Sequence, residues 1–261
     1  AADIGVAMGI QGTDLAKETS DIVLLDDRFV TIAAAVEEGR LVLANIRKFI
    51  HYLFSCNLSE VLTVFLGSLT ALPLPLLPLQ ILWLNLVTDV FPALSLAFEP
   101  AEKDLMLRPP RAASEGIFPA GMICSILGHG LLITAATFGC FFWALSRGGQ
   151  PDARRTAQTM SFMTIALAQL FHAWNSRKER APIASLRDAA ANAHLLGAAA
   201  LTIGMQMAAV YLRPLGRVLD TTQLSAPDLS ATAAFSLIPV AVGQTIRLLR
   251  TRSERKQDAR R

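Results

Sequence analysis

Residues 81–100 of the chain read ILWLNLVTDVFPALSLAFEP. The run is almost wholly apolar, and it has the length of about 20 residues that an α-helix needs to cross a bilayer. Asn85, Thr88 and Asp89 interrupt it at positions i, i+3 and i+4, so their side chains share one face of a helix. An ionisable residue at that depth costs at least about 2.5 kcal/mol, and such residues commonly serve an ion path. The stretch therefore predicts a membrane helix with a functional polar face.

The composition of the whole chain is that of a membrane protein. Of its 261 residues, 52% are hydrophobic and 17% are charged, and the mean hydropathy is +0.43. A typical soluble domain carries about 25% charged residues. These values exclude a disordered chain, a coiled coil and an ordinary cytosolic enzyme. Six apolar runs are each long enough to span a bilayer, and they lie at 44–70, 78–98, 117–145, 157–175, 192–212 and 228–249.

The Lys and Arg residues predict the orientation of these spans, because basic residues favour the cytoplasmic side. If the N-terminal end is cytoplasmic, 17 Lys and Arg residues flank the spans on the cytoplasmic side and 5 lie in the outer loops. An even number of spans then leaves both termini in the cytoplasm. The net charge of +3 and the basic residues of 251–261 are interpreted as such a flank, and no nucleic-acid partner is predicted.

The first 40 residues have the character of a soluble α/β segment. The apolar run 4–9 predicts a strand, Gly12 and Thr13 open a helical stretch, and the apolar run 21–25 predicts a second strand. Strand, helix and strand in this order are typical of the edge of a parallel sheet. From Phe29 onward a helical pattern continues without a breaker into the first apolar run.

Polar residues within the first two spans form an oxygen-only set. Asn57 and Glu60 are three residues apart in the first span, which places them on one helix face, and the second span adds Asn85, Thr88 and Asp89. Carboxylate, amide and hydroxyl oxygens suit hard cations, and calcium takes about six to eight of them. Pro92 should disturb the backbone hydrogen bonding near Asp89 and free carbonyl groups as further ligands. The alternative is that these groups only form hydrogen bonds between helices.

The fourth span carries Gln169, His172 and Asn175 on one face. Gln169 lies deepest and is either a further ligand or a group that bonds neighbouring helices. His51, His129 and His194 show no spacing typical of a metal site and are predicted to be packing residues. The three cysteines Cys56, Cys124 and Cys140 are also predicted to be packing residues. They predict neither a disulfide framework nor a zinc site.

Several motifs of the first 111 residues together resemble a known family. They are ADIGVAMG at 2–9, GT at 12–13 with AKE at 16–18, DIVL at 21–24 with DD at 26–27, EEGR at 37–40, NLSE at 57–60, LWLNLVTD at 82–89, FPA at 91–93 and EP at 99–100. In these motifs the chain is similar to the C-terminal third of P-type cation-transporting ATPases of the calcium-pump-like branch. Beyond residue 111 the resemblance rests on the number of spans and on residues 169–175.

The resemblance implies a fold class and a domain organisation. The protein is expected to be mainly α, a six-helix transmembrane bundle preceded by the C-terminal edge of a HAD-like α/β phosphorylation domain. Residues 1–40 would belong to that phosphorylation domain, and 29–50 would form a stalk helix. Residues 44–98 would hold the first two membrane helices with the cation site, 112–250 a four-helix C-terminal membrane domain, and 251–261 a basic cytoplasmic tail.

The resemblance also implies a site and an activity. Five residues fall on cation-ligand positions of the calcium pumps, namely Asn57, Glu60, Asn85, Thr88 and Asp89. Gln169 stands where two-site calcium pumps carry a glutamate, which removes a negative charge and makes the single-site calcium/manganese pumps a suitable comparison. The chain would be the C-terminal fragment of an ATP-driven pump for Ca2+ or a similar divalent cation. Its partners would be the bilayer, the cation and the remainder of the pump polypeptide.

Catalysis is expected to lie outside this sequence. The phosphorylated aspartate motif, the nucleotide-binding domain and the magnesium-binding Gly-Asp-Gly motif do not occur in it, so ATP and Mg2+ would be bound by upstream domains. The expected location is a bacterial inner membrane.

Two other readings remain open at this point. A stand-alone or remnant membrane protein, acting as a passive channel or secondary transporter, would use the buried carboxylates equally well, but it would have no need of residues 1–40. A soluble HAD-type phosphatase with a hydrophobic tail would not need six spans.

Overall fold

The structure, a computed structural model, describes residues 3–70, 73–102, 104–110, 116–147, 152–177 and 192–258, and within 250–258 it describes the backbone only. The elements in chain order are β1 (Val6–Met8), α1 (Asp14–Thr19), β2 (Ile22–Leu24), α2 (Phe29–Ser68), α3 (Pro78–Trp83), a π-helix (Leu84–Thr88), α4 (Val90–Ala97), a 3-10 helix (Leu105–Leu107), α5 (Ala120–Ser146), α6 (Ala153–Ser176), α7 (Ala193–Tyr211), α8 (Arg213–Val218) and α9 (Ala226–Asp258). They fall into two compact units, Ala1–Ala44 with Pro100–Arg111 and Asn45–Glu99 with Ala112–Arg261.

The first unit contains the predicted strand, helix and strand. β1 and β2 pair in parallel, with Val6 opposite Ile22 and Met8 opposite Leu24. The Thr13 hydroxyl oxygen caps α1 by accepting a hydrogen bond from the Ala16 amide at 3.2 Å. A threonine at the N-cap position accepts a hydrogen bond from one of the backbone N–H groups of the first turn, which have no partner within the helix. The helix therefore begins here.

Asp27 closes the turn that follows β2. Its two carboxylate oxygens accept hydrogen bonds from the backbone amides of Ile10 and Gln11 at 2.9 and 2.8 Å. These bonds, with the Ile10 amide first, hold the pKa of Asp27 below its ordinary value of 3.8. The loop after β1 also requires glycine, because a Cβ at Gly12 would lie 2.0 Å from the Met8 carbonyl oxygen.

The second unit contains helices of membrane length. Five helical stretches of the described chain are long and apolar enough to cross a bilayer, namely Phe29–Ser68, Pro78–Ala97, Ala120–Ser146, Ala193–Tyr211 and Ala226–Leu249. They overlap five of the six predicted runs. The remaining run, 157–175, lies within α6, which is helical over 24 residues but too polar to count among them.

The polarity of α6 follows from its position in the interior. Almost every residue from Ala157 to Arg177 is buried, and α6 packs against both α5 and α9. A helix covered by other helices does not need an apolar surface, provided that its polar groups are satisfied. Thr159 and Ser161 do this by donating to backbone carbonyls four residues earlier, at 2.8 and 2.9 Å. One packing prediction is corrected: Cys56 and Cys140 are buried, but Cys124 is exposed on α5.

A buried ion pair holds the C-terminal end of α6. The Arg177 guanidinium, 2% exposed, donates to both carboxylate oxygens of Glu99 at 3.0 Å through Nε. The Asn192 amide donates to the same carboxylate at 2.7 Å, while its oxygen caps α7 by accepting from Leu195. The Asn45 amide in turn donates to the carbonyls of Ala97 and Glu99, so the end of α4 is bound from α2 as well.

We predict that the substitution Asp27→Asn loosens the loop after β1, because the amides of Ile10 and Gln11 donate to separate carboxylate oxygens and Asn replaces one of these oxygens by an NH2 donor. Asn tolerates the positive φ of 51° at this position, so the test changes the side-chain acceptors without straining the backbone. Hydrogen exchange followed by mass spectrometry should show faster exchange in the peptide that contains residues 9–12 at neutral pH. In the wild type this protection should be present at neutral pH and should fade as the pH falls below 3.8, because the pKa is lowered in the folded state. Asp14→Asn is the control and should leave that peptide unchanged.

We predict that Arg177→Met destabilises the protein by about 3–5 kcal/mol, because it leaves the Glu99 carboxylate buried without its cation. Denaturant titration of the detergent-solubilised protein measures the loss. The matched control is Arg155→Met, which breaks a pair with Asp220 at 2.9 Å whose side chains are 39% and 57% exposed. Such a surface pair is worth at most about 1 kcal/mol. Equal losses for the two variants would contradict the prediction, and adding Glu99→Gln to Arg177→Met should recover part of the stability.

Candidate cation site

Three elements of the second unit bring most of the predicted ligands to one place. α2 supplies Glu60, α6 supplies Gln169, and the stretch from α3 through the π-helix to α4 supplies Asn85, Thr88 and Asp89. Glu60, Thr88, Asp89 and Gln169 are 1–3% exposed, so these four side chains are buried among the helices.

Glu60 is the centre of the group. The Gln169 amide donates to Oε1 of Glu60 at 2.9 Å, and the Asn85 amide donates to Oε2. One carboxylate on α2 thus joins α6 to the π-helix, with donors that lie 109 and 25 residues away from Glu60 in the sequence. The contact also accounts for the depth of Gln169, whose aliphatic stem fits the apolar interior while its amide meets the carboxylate.

Asp89 lies beside this centre and has a different donor. The hydroxyl of Tyr52, which is fully buried on α2, donates to Oδ1 of Asp89 at 3.3 Å. Asp89 and Glu60 are also close enough to interact electrostatically. Among the described residues, Oδ2 of Asp89 and Oε1 of Gln169 are buried and accept no hydrogen bond. An unsatisfied buried acceptor costs about 1–3 kcal/mol, so two of them in one group call for an explanation.

The backbone beside Asp89 departs from an α-helix. Leu84–Thr88 forms a π-helical turn, and the Asp89 amide donates to the Leu84 carbonyl five residues earlier at 3.0 Å. Pro92 has no N–H to donate to the Thr88 carbonyl, so the disturbance expected there is observed as a widened turn. Single π-turns of this kind are frequent at functional sites.

Two of the predicted residues are not joined to this group. The Thr88 hydroxyl is buried but donates to its own helix, to the Leu84 carbonyl at 2.8 Å. Asn57 is exposed, and its amide donates to the Leu53 carbonyl one turn earlier at 2.9 Å. Asn85 is exposed too, but it keeps its bond to Glu60.

The two buried carboxylates have no basic partner. None of the salt bridges within the described part of the chain involves Glu60 or Asp89. Two unpaired buried carboxylates disfavour full ionisation unless a cation or protons compensate them. Carboxylate and amide oxygens in this number and proximity are the ligands of a hard cation.

Sequence reasoning missed one member of this site and a second cluster. Tyr52 precedes Glu60 by eight residues, close to two helix turns, which is the signal that would have found it. His51, His129 and His172 lie together, whereas the sequence predicted His51 and His129 to be isolated packing residues. No spacing could have shown this, because the three side chains come from three helices.

Comparison with known proteins agrees with this arrangement. The sequence model of the family described as "Cation transporting ATPase, C-terminus" matches residues 73–249. A calcium-transporting ATPase of Bacillus subtilis is 42% identical over 238 residues, which are 91% of this chain and 26% of that protein. Calcium-transporting ATPase 1 of Bacillus cereus is 37% identical over 260 residues, covering 95% of this chain and 29% of the relative. The human calcium-transporting ATPase type 2C member 1 is 36% identical over 229 residues, which are 88% of this chain and 24% of that protein.

Several helices of membrane length and these relatives define the chain as part of a multi-pass membrane protein. The chain belongs to the cation-transporting ATPase family, in the part that forms its C-terminus. It spans about a quarter of the length of the curated relatives it matches.

We predict that Gln169→Met lowers the free energy of unfolding by about 1–3 kcal/mol, because it removes a buried donor to Glu60 at nearly constant volume. Asn57→Ala is the control: the Asn57 side chain bonds only its own helix in the described structure, and alanine is the better helix former. Thermal unfolding in detergent should therefore show a lower Tm for Gln169→Met and an unchanged or slightly higher Tm for Asn57→Ala. The reverse order would mean that Asn57, not Gln169, supports the carboxylate.

Proposed function

We propose that the chain is the C-terminal portion of an ATP-driven pump that moves Ca2+ or a similar divalent cation across a membrane, and that Glu60 and Asp89 bind this cation. One observation carries the proposal: within the described residues, the buried carboxylates of Glu60 and Asp89 have no basic partner, and Oδ2 of Asp89 and the neighbouring Oε1 of Gln169 accept no hydrogen bond. A divalent cation would neutralise the carboxylates and satisfy both oxygens at once. The names of the relatives support calcium as the cargo.

The ligand set of this proposal is built on the bonds around Glu60. Glu60, Asp89 and Gln169 supply oxygens directly, and the amide groups of Asn85 and Gln169 can turn to present oxygen in place of nitrogen when the carboxylate binds a cation. The Thr88 hydroxyl needs only a side-chain rotation to leave its own backbone carbonyl. A single carboxylate pair with neutral amides holds two negative charges, which matches one divalent cation.

Asn57 and Asn85 support a further element of the proposal. Both are exposed polar residues in helices of membrane length, a costly arrangement if they faced lipid. We infer that a membrane helix outside this chain covers this side of α2 and completes the site, with Asn57 as a ligand from that side.

We also infer that α6 is a sixth span. Its 24 residues are long enough for a tilted crossing, and its polar groups are covered by neighbouring helices. Six crossings leave both termini on the side with more basic residues, which is the cytoplasm by the distribution of Lys and Arg. The basic residues at 103, 111, 178, 180, 187, 260 and 261 that contribute to this count lie outside the described residues.

The first unit supports a role as the edge of a HAD-like phosphorylation domain. A two-stranded pair is seldom stable alone, and here Ile4, Ile10, Leu15 and Leu25 are 60–84% exposed. Further strands and helices outside this chain would cover these side chains, and in this proposal those parts bind ATP and Mg2+. Because α2 is a single helix from Phe29 to Ser68, a displacement of its N-terminal end would reach Glu60 directly.

A passive channel or secondary transporter would also need buried carboxylates. It gives no reason for the exposed apolar surface of the first unit, and the relatives are named as ATPases. The pump is therefore the proposed function.

We predict that Asp89→Asn reduces the apparent Ca2+ affinity by about 100-fold or more. Removing one partner of a buried charge pair costs about 3–5 kcal/mol, and every 1.4 kcal/mol is about tenfold in affinity. The measurement is the Ca2+ dependence of phosphorylation from radiolabelled ATP, made on the full-length pump polypeptide in membranes.

Asp220→Asn is the matched control, because it makes the same carboxylate-to-amide change at an exposed residue whose φ of 52° suits Asn. Unchanged Ca2+ dependence in Asp89→Asn, or ion flux without ATP in liposomes, would refute the pump proposal at this site.

A further inference from the structure

Three histidines from three helices meet beside Tyr52, whose ring centroid lies 6.2 Å from that of His172. His51 lies on α2, His129 on α5 and His172 on α6, and each offers a ring nitrogen within 4.8 Å of those of the other two. Their ring centroids are 4.5 Å apart for His129 and His172, 5.4 Å for His51 and His172, and 5.5 Å for His51 and His129. His51 precedes Glu60 by nine residues on α2, which is about 13 Å along the helix axis.

Two of the nitrogens have no protein partner. Nε2 of His129 and Nδ1 of His172 are buried and form no hydrogen bond with any described residue. His172 is fully buried, so its free nitrogen faces the protein interior and not bulk solvent. A neutral imidazole that is buried with a free nitrogen loses a hydrogen bond worth about 1 kcal/mol or more, and three such rings gathered together are not explained by packing alone.

The contacts on the other side of each ring are those of metal-ligating histidines. Nδ1 of His129 lies 2.8 Å from the Ser125 carbonyl oxygen, to which only an N–H can donate. The proton is therefore on Nδ1, and Nε2 presents its lone pair to the cluster. A histidine that binds a metal nearly always donates its second N–H to such an acceptor, which fixes the tautomer and the ring orientation.

Serine hydroxyls hold the other two rings. Ser125 and Ser176 lie 2.9 and 3.2 Å from the two nitrogens of His51, and Ser176 lies 3.4 Å from Nε2 of His172. A hydroxyl can either donate or accept, so each ring can expose one lone pair without losing all its bonds.

We propose that His51, His129 and His172 form a binding site for a divalent transition-metal ion of the zinc class, separate from the oxygen site around Glu60. Imidazole nitrogen suits Zn2+ and its neighbours, whereas Ca2+ and Mg2+ require oxygen. Zinc–nitrogen bonds of about 2.0–2.1 Å place tetrahedral ligands about 3.4 Å apart, so side-chain rotations that bring the nitrogens together by about 1.4 Å or less complete the site. A water molecule would take the fourth position.

The site has a structural consequence. A bound ion would link α2, α5 and α6, three helices whose packing in this region includes the close approach of Gly130 on α5 to Leu58 on α2. Gly243 on α9 keeps the cluster accessible to an ion, because a Cβ there would lie 3.1 Å from Nε2 of His129. The ion would therefore raise the thermal stability of the protein, whether or not the chain acts as a pump.

The test is Zn2+ binding by the full-length purified protein in detergent, measured by isothermal titration and by the Tm in the presence of ZnCl2. The wild type should bind one Zn2+ with a raised Tm. His129→Gln and His51→Gln should each weaken binding by at least about tenfold and reduce the rise in Tm. The control is His194→Gln, which changes an exposed histidine on α7 and should alter neither quantity.

A second control separates the two sites and the two proposals. Glu60→Gln should leave Zn2+ binding unchanged while it weakens Ca2+ binding. The failure of the Ca2+ proposal would therefore be distinguishable from the failure of the Zn2+ proposal. X-ray absorption at the zinc edge of the wild type tests the ligands without any variant, and three imidazoles are expected. Absence of Zn2+ binding, a shell dominated by oxygen, or equal affinity in the wild type and both cluster variants would overturn the proposal.

Discussion

The structure depends on two carboxylates that are buried among helices of membrane length and have no basic partner within the described residues. Glu60 and Asp89 would each be costly at this depth, and the surrounding groups reduce that cost with single, specific contacts. Gln169 and Asn85 donate to Glu60, and Tyr52 donates to Asp89. The donors suffice to position the carboxylates but do not neutralise them, and this incomplete compensation is the reason for which we propose the group as a binding site and not only as a structural network.

The same constraint explains the unusual helix at the centre of the second unit. α6 carries Gln169 to Glu60, and a helix that must present polar groups to a buried site cannot be apolar all round. In the interior, the hydroxyl groups of Thr159 and Ser161 bond back to carbonyls of α6, and Arg177 pairs with Glu99 at its end. The buried carboxylates of the second unit differ in whether they have a basic partner. Glu99 is fully paired and serves stability, whereas Glu60 and Asp89 are unpaired and are available to a ligand.

The helices were largely predictable and their rotations were not. Each of the six predicted runs lies in a helix of the structure, and α2 begins at Phe29 as the pattern indicated. The run 157–175 forms part of helix α6, but α6 is not among the five helices that are apolar enough to cross a bilayer by themselves, and other helices cover it. The spacing of Asn57 and Glu60 predicted one shared face, yet three residues on a helix differ by about 60° in direction. That difference is enough to place Glu60 inside and Asn57 at the surface.

The sequence by itself determined where the helices lie, which residues stand at membrane depth, and that the polar ones are oxygen donors. These properties are local, since they depend on hydrophobicity, helix periodicity and residue type within a span. Only the tertiary structure decided which side chains meet: Gln169 with Glu60, Tyr52 with Asp89, and the three histidines with one another. The reason is physical. The rotation of a helix about its own axis is set by packing against neighbours that are distant in sequence, and no pattern within a single helix carries that information.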